Sequence, residues 1–239
     1  MGTLRALVIG ATGGIGREIA RVLAEPGLEI VVHGHVYDER VDRLLDDIRS
    51  RGASAHAVIR TIECAEDIIE EIDALLPVDI LVVSFGPMIR APVVETDTEA
   101  WRRMAELNLV MPSAAVGRCL PAMKERNFGR ILLFGGTRTD RIRGFETIAA
   151  YAAAKTGLGT VVKSVARQTR SYDICINALC PGYVDTEYYD DADRARAVRA
   201  APGGRMIDPT EVAETAGVLL NRRNKSMTGA IVPIDGGLG

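Results

Sequence analysis

Short apolar runs alternate with segments of helical periodicity along the whole chain, and this alternation restricts the fold more than any other feature. The runs Leu4–Ile9, Glu29–His33, Ala55–Ile59, Asp79–Val83, Arg130–Phe134, Ile174–Leu179 and Ala230–Ile234 read as strands. Between them lie helical patterns at Ile15–Leu23, Asp38–Arg51, Ala65–Leu76, Trp101–Lys124 and Ala149–Ser171. A short helix is expected at Ala192–Ala200, and another runs from Asp208-Pro209 to about Leu220, with Asp as N-cap and Pro at the first position. Strands that are apolar throughout are buried on both faces, which requires a parallel sheet with helices above and below. The expectation is α/β: one domain over residues 1–239, a doubly wound parallel sheet with helices on both faces.

Composition excludes several classes of partner. The chain is 47% hydrophobic and 26% charged, with a net charge of −3. That balance gives no reason to expect nucleic acid or an anionic membrane. No apolar run reaches the length of a membrane span, and a strand starting at Leu4 leaves no room for a signal peptide. Cys64, Cys119, Cys175 and Cys180 are scattered in or near apolar segments and read as reduced thiols of a cytoplasmic protein.

Gly10-Ala-Thr-Gly13-Gly14-Ile15-Gly16 directly follows the first strand and opens the first helix. Glycines there let backbone approach a pyrophosphate, and the helix N-terminus presents free N–H groups and a positive dipole. The spacing is Gly-x-x-x-Gly-x-Gly rather than the commoner Gly-x-Gly-x-x-Gly. Further along, Tyr151-Ala-Ala-Ala-Lys155 puts a phenol and an ammonium one turn apart on one helix face. An ammonium there would favour the ionised phenol.

With these two motifs in hand, the chain resembles the short-chain dehydrogenase/reductase family over nearly its whole length, and is similar to 3-oxoacyl carrier-protein reductases. Gly10, Gly14 and Gly16 match the family's cofactor loop; Asn108, Tyr151 and Lys155 match three members of its catalytic tetrad. Pro181-Gly182-Tyr183-Val184-Asp185-Thr186 matches the segment bordering the nicotinamide, and Thr228-Gly229 with Asp235-Gly236-Gly237 matches its ending. The resemblance implies a Rossmann-type oxidoreductase that moves hydride between NADP(H) and a carbonyl or alcohol. Tyr151 would exchange the proton, Lys155 would support the phenolate and the ribose, and Asn108 would hold a water. The implied cofactor contacts are Gly10, Thr12, Gly13, Gly14, Ile15, Gly16, His35, Ile62, Gly86, Tyr151, Lys155, Pro181, Gly182, Val184 and Thr186. The family also implies a homodimer or homotetramer. The helices Trp101–Lys124 and Ala149–Ser171 would pair with their copies through Ala153, Ala154, Gly157 and Gly159, and the last strand would make a second interface.

The departures are equally specific. Thr61 stands where the family has an Asp beside adenine, and Val83-Ser84-Phe85-Gly86 replaces Asn-Asn-Ala-Gly, which removes one support of the sheet edge. Gly136 stands at the position of the catalytic Ser. Thr137 is the expected replacement donor for the carbonyl oxygen, with Thr139 as the other candidate. No carboxylate ends the second strand; His35 takes the place where NADP-dependent members often carry Arg, and Arg40 is nearby, so NADP is expected over NAD. His33 and His35 share a strand face but have no third partner, so no metal is expected.

Arg90, Arg138, Arg141 and Arg143 fall on loops at the substrate mouth, where an anionic carbonyl substrate would suit them. Residues 187–207 read as the substrate lid. The competing reading is a degenerate member that binds a nucleotide or assembles subunits with little catalysis, motivated by Gly136, Thr61 and Val83-Ser84-Phe85.

Overall fold

The computed structural model describes residues 3–238. Seven strands form one parallel sheet in the order β3-β2-β1-β4-β5-β6-β7. They are β1 (Leu4–Ile9), β2 (Leu28–Gly34), β3 (Ser54–Ile59), β4 (Ile80–Val83), β5 (Gly129–Phe134), β6 (Ile174–Pro181) and β7 (Ile231–Ile234). The helices are α1 (Gly14–Leu23), α2 (Glu39–Ser50), α3 (Ala65–Leu75), α4 (Thr98–Ala105), α5 (Met111–Glu125), α6 (Ala149–Gln168), α7 (Asp191–Ala200) and α8 (Pro209–Leu220). The doubly wound sheet expected from the sequence is the fold observed.

Strand pleating divides the core in two. Along β1, Ala6 and Val8 point to the side covered by α1, α2 and α8, while Leu7 and Ile9 point to the side covered by α3, α5 and α6. All four are fully buried, which is why the strand reads as apolar throughout. Full burial of a Val, Leu or Ile side chain contributes about 1.5–3 kcal/mol. The chain winds outward from β1 to β3, then returns to add β4 on the other side. The strand order therefore reverses between β1 and β4, and a crevice opens at their carboxyl ends.

The helix expected over Trp101–Lys124 is interrupted. Between α4 and α5 lies a π-helical turn, Glu106–Val110, in which the Met111 N–H reaches five residues back to Glu106. Pro112, which has no N–H to give, follows at once, so the regular ladder cannot continue here. The helix expected to reach Ser171 stops at Gln168, and Thr169 folds back with both its N–H and its hydroxyl on the Val165 carbonyl.

The end of the sheet away from the crevice is held by Arg130. Its guanidinium is fully buried and donates to the carbonyls of Gly129, Asp173, Asn221 and Arg222 and to the Asp173 carboxylate, with Phe128 stacked against it.

Candidate active site

The glycine turn is built by close packing. Gly10 has φ +81°, in the left-handed region that favours glycine. A Cβ on Gly16 would strike the Gly10 carbonyl and the Ser84 hydroxyl, and one on Gly34 would strike Thr12. Thr12 thus caps the end of β2, and Ile15 packs partly buried against the core. Ser84 corrects an expectation: its hydroxyl donates to the Ile9 carbonyl at 2.7 Å, so β4 remains tied to β1 without the family's Asn side chains.

Tyr151, Lys155, Asn108 and Gly86 meet at the carboxyl ends of β4 and β5. The Lys155 ammonium is buried, donates to the Phe134 carbonyl at 2.9 Å and lies 5.9 Å from the centre of the Tyr151 ring. A Cβ on Gly86 would lie 2.7 Å from Lys155 Nζ, and nearer still to Asn108 Oδ1. Gly86 therefore keeps open a cradle that any side chain would fill. Asn108 is fully buried within the π turn; its amide N–H donates to the Pro87 carbonyl at 3.0 Å, while Oδ1 has no partner in the protein. A buried acceptor left open costs about 1–3 kcal/mol unless a water or ligand completes it.

The two titrating groups are shifted by burial. Desolvation lowers the Lys155 pKa from 10.5 to about 8. Burial raises the Tyr151 phenol above its ordinary value, with the nearby Cys180 and Tyr189 adding to the effect. Lys155 was expected to favour the ionised phenol; burial instead holds the phenol above its ordinary value, so it keeps its proton near neutral pH.

Gly136 faces Tyr151 directly. The residues after it form a tight turn with Arg138 at φ +61°. The buried Thr139 hydroxyl closes that turn, accepting from the Gly136 N–H at 2.7 Å and donating to the Gly136 carbonyl at 3.0 Å. The partly buried Thr137 hydroxyl donates to the Gly182 carbonyl at 3.3 Å, beside the segment after β6. Within that segment Val184 is buried and bridges Ile207, and a Cβ on Gly182 would lie 2.9 Å from Asp235 Cα.

At the far side of the crevice, His35 is exposed at the end of β2. Asp38 serves as the N-cap of α2 and pairs with Arg40 at 2.6 Å. The Ile62 side chain is buried in the core beside α3, and Thr61 is exposed. Among the described residues no group of three or more His, Cys, Asp or Glu is placed to hold a metal. Three of the cysteines are buried thiols; Cys64 is partly exposed at the N-cap of α3.

The sequence did not reveal Glu187 and Tyr188. The Glu187 carboxylate accepts from the Gly14 N–H at 3.1 and 3.2 Å, and the Tyr188 ring lies against Gly13. Their only signal was position, directly after Thr186. The Ala192–Ala200 helix is present as α7, capped by Asp190. Arg90, Arg138 and Arg141 are exposed, and Arg141 pairs with Asp140 at 3.3 Å.

A family model described as enoyl-(acyl carrier protein) reductase matches residues 10–239. The 3-oxoacyl-(acyl-carrier-protein) reductase FabG of Escherichia coli (strain K12) is 30% identical over 238 residues, covering 98% of this chain and 96% of that protein. The crystal structure of a 3-oxoacyl (acyl-carrier-protein) reductase from Agrobacterium tumefaciens C58, with NADP bound, superposes with a TM-score of 0.86 at 29% identity, covering 99% of this chain and 95% of that one. A variant of the actinorhodin polyketide ketoreductase with NADPH gives a TM-score of 0.87 at 29% identity, covering 100% and 99%.

Proposed function

The chain belongs to the short-chain dehydrogenase/reductase family, and from that premise we propose that it reduces a substrate carbonyl with NADPH, using Tyr151 as proton donor. It is an oxidoreductase, and the observation that carries the finer reading is the meeting of Tyr151, Lys155 and Asn108 around Gly86 at the sheet's switch point. The open Asn108 Oδ1 and the cradle at Gly86 fit a dinucleotide and an ordered water. Bound NADPH supplies the hydride. The protein's part is to place the carbonyl oxygen against the Tyr151 phenol, which is protonated near neutral pH and gives its proton to that oxygen. Lys155, held by the Phe134 carbonyl, opposes the negative charge left on the phenol. Asn108 holds the water that returns a proton.

The exposed Arg90, Arg138 and Arg141 around the mouth suit an anionic substrate, such as an acyl group on a phosphorylated carrier. We assign residues 187–207 to the substrate lid. Free cysteines suit a reducing cytoplasm. No helix among the described residues is long and apolar enough to cross a membrane. The assembly we propose is a dimer through α4–α6, extended to a tetramer through β7. Two of the small residues expected at that helix pairing serve the protomer itself: Ala154 is buried, and Gly159 packs on Ile231.

The degenerate reading has one structural support, the engagement of both threonine hydroxyls with backbone beside Gly136. NADPH oxidation across a panel of 3-oxoacyl thioesters and anionic ketones, with Tyr151→Phe as control, decides between the two. Substrate-dependent oxidation that Tyr151→Phe abolishes supports the reductase. Cofactor binding with no oxidation on any substrate supports the degenerate member.

A further inference from the structure

We propose that Glu187 is an internal anion that occupies the phosphate-binding turn, and that the dinucleotide binds by displacing it. The inference rests on the cofactor reading above and adds a step that precedes it.

Helix α1 begins without help from its own residues. Gly13 is the N-cap and makes no side-chain cap, and the first turn carries no acidic residue. A helix start of this kind exposes N–H groups that seek an anion. Here a carboxylate 173 positions further along the chain takes that role, with both Glu187 oxygens on the Gly14 N–H. Two guanidiniums surround it: Arg17, on α1, and Arg40, at the start of α2, each lie 4.0 Å from Glu187 Oε1.

The residues on either side complete the cover. The Thr186 methyl would be 2.9 Å from a Cβ on Gly14, and the Tyr188 ring 3.3 Å from one on Gly13. Three consecutive residues thus lie over two consecutive glycines. The strip is tethered by α7, whose Arg194 pairs with Asp185 and donates to the Thr186 carbonyl at 3.3 Å.

A carboxylate and a pyrophosphate cannot share this place. Both need the Gly14 N–H at the start of α1, and like charges at short range in a partly buried site repel. The protein therefore divides between a covered form and an uncovered form, and the apparent affinity for the dinucleotide is reduced by the uncovered fraction. On displacement the phosphates inherit the Gly14 N–H, Arg17 and Arg40.

The test compares wild type with Glu187→Gln and Glu187→Asp by titration with NADPH, ADP and adenosine, and by stopped-flow association of NADPH. Thermal unfolding verifies that each variant is folded. Glu187→Gln removes the charge at constant shape. It is expected to tighten NADPH and ADP by roughly five- to tenfold, to speed association, and to leave adenosine, which carries no phosphate, unchanged. Glu187→Asp is expected to fall between the two. If wild type binds NADPH and Glu187→Gln binds it equally or more weakly, the displacement is wrong while the cofactor reading stands. If neither protein binds any nicotinamide dinucleotide, the cofactor reading itself is wrong and the displacement falls with it.

Discussion

Gly136 and Tyr151 touch so closely that a Cβ on the glycine would lie 2.7 Å from both Oη and Cε1 of the tyrosine. The ring occupies the space where a residue with any side chain would put its first carbon. The glycine is thus a condition for the phenol's position. Gly136→Ser should displace the ring and lower kcat by roughly tenfold or more, since small misplacements of a reacting group are costly. The Kd for NADPH should change little. A rise in kcat would show that the ring yields easily and that a serine hydroxyl improves the site.

Tyr151→Phe should cut kcat by a factor on the order of 10² or more and leave cofactor affinity nearly intact. The two threonines should separate by kind of effect. Thr137→Val should lower kcat by roughly 10²-fold if its hydroxyl turns from the Gly182 carbonyl to the substrate oxygen. Thr139→Val should instead lower stability, by about 1–3 kcal/mol, because it leaves the buried Gly136 N–H unpaired. Steady-state kinetics beside thermal unfolding distinguish these outcomes.

Lys155 sets a limit at alkaline pH. Burial brings its pKa to about 8, so its charge is lost as pH rises through that value. Reduction that needs the ammonium should decline over the same range. Lys155→Arg, if it supports turnover, should abolish the decline. Stability runs the other way: burying the charged form is unfavourable below about pH 8, and that penalty is relieved between 8 and the ordinary lysine value of 10.5.

His33 should make the fold sensitive to acid. It is 4% exposed, and neither ring nitrogen has a partner. Burial first, and then the charge of Arg60, lower its pKa from 6.5 to about 4. The unfolded chain takes up a proton below 6.5 while the folded one resists it until about 4, so stability falls across that interval. A depression of this size corresponds to about 3 kcal/mol. His33→Leu should flatten this part of the pH–stability curve, as read by denaturant titration; an unchanged curve would exonerate the histidine.

His35→Asp tests the cofactor choice. An exposed carboxylate at the end of β2 should repel a 2′-phosphate and favour a free ribose hydroxyl, reversing a preference for NADPH over NADH. A wild type that binds NADH more tightly would refute the choice at the outset.

The sheet was legible because burial on both faces leaves an unmistakable mark: β1, β4 and β5 carry hardly a polar residue. The site's main groups were legible because Gly10, Gly14 and Gly16, and Tyr151 with Lys155, obey local spacing rules on single elements. What escaped depends on contacts between distant segments. In sequence Ser84 reads as a loss; only the fold puts its hydroxyl on the Ile9 carbonyl. Glu187 lies 173 positions from Gly14, and no local pattern announces that pairing. The π turn escaped for another reason: Asn108 and Pro112 fit a plain helical pattern, and only the missing N–H of the proline hints that the ladder must slip.

That slip has a mechanical consequence. A π turn holds one residue more than an α turn, which rotates all that follows by about 100°. Deleting a single residue between Glu106 and Val110 would remove the bulge and give a locally more regular helix, with only the N–H that Pro112 lacks still missing from the ladder. It would also swing either Asn108 away from Gly86 or α5 away from α3. At this one place the backbone's preference for regular hydrogen bonding opposes the orientation of a working side chain, and the protein keeps the irregularity.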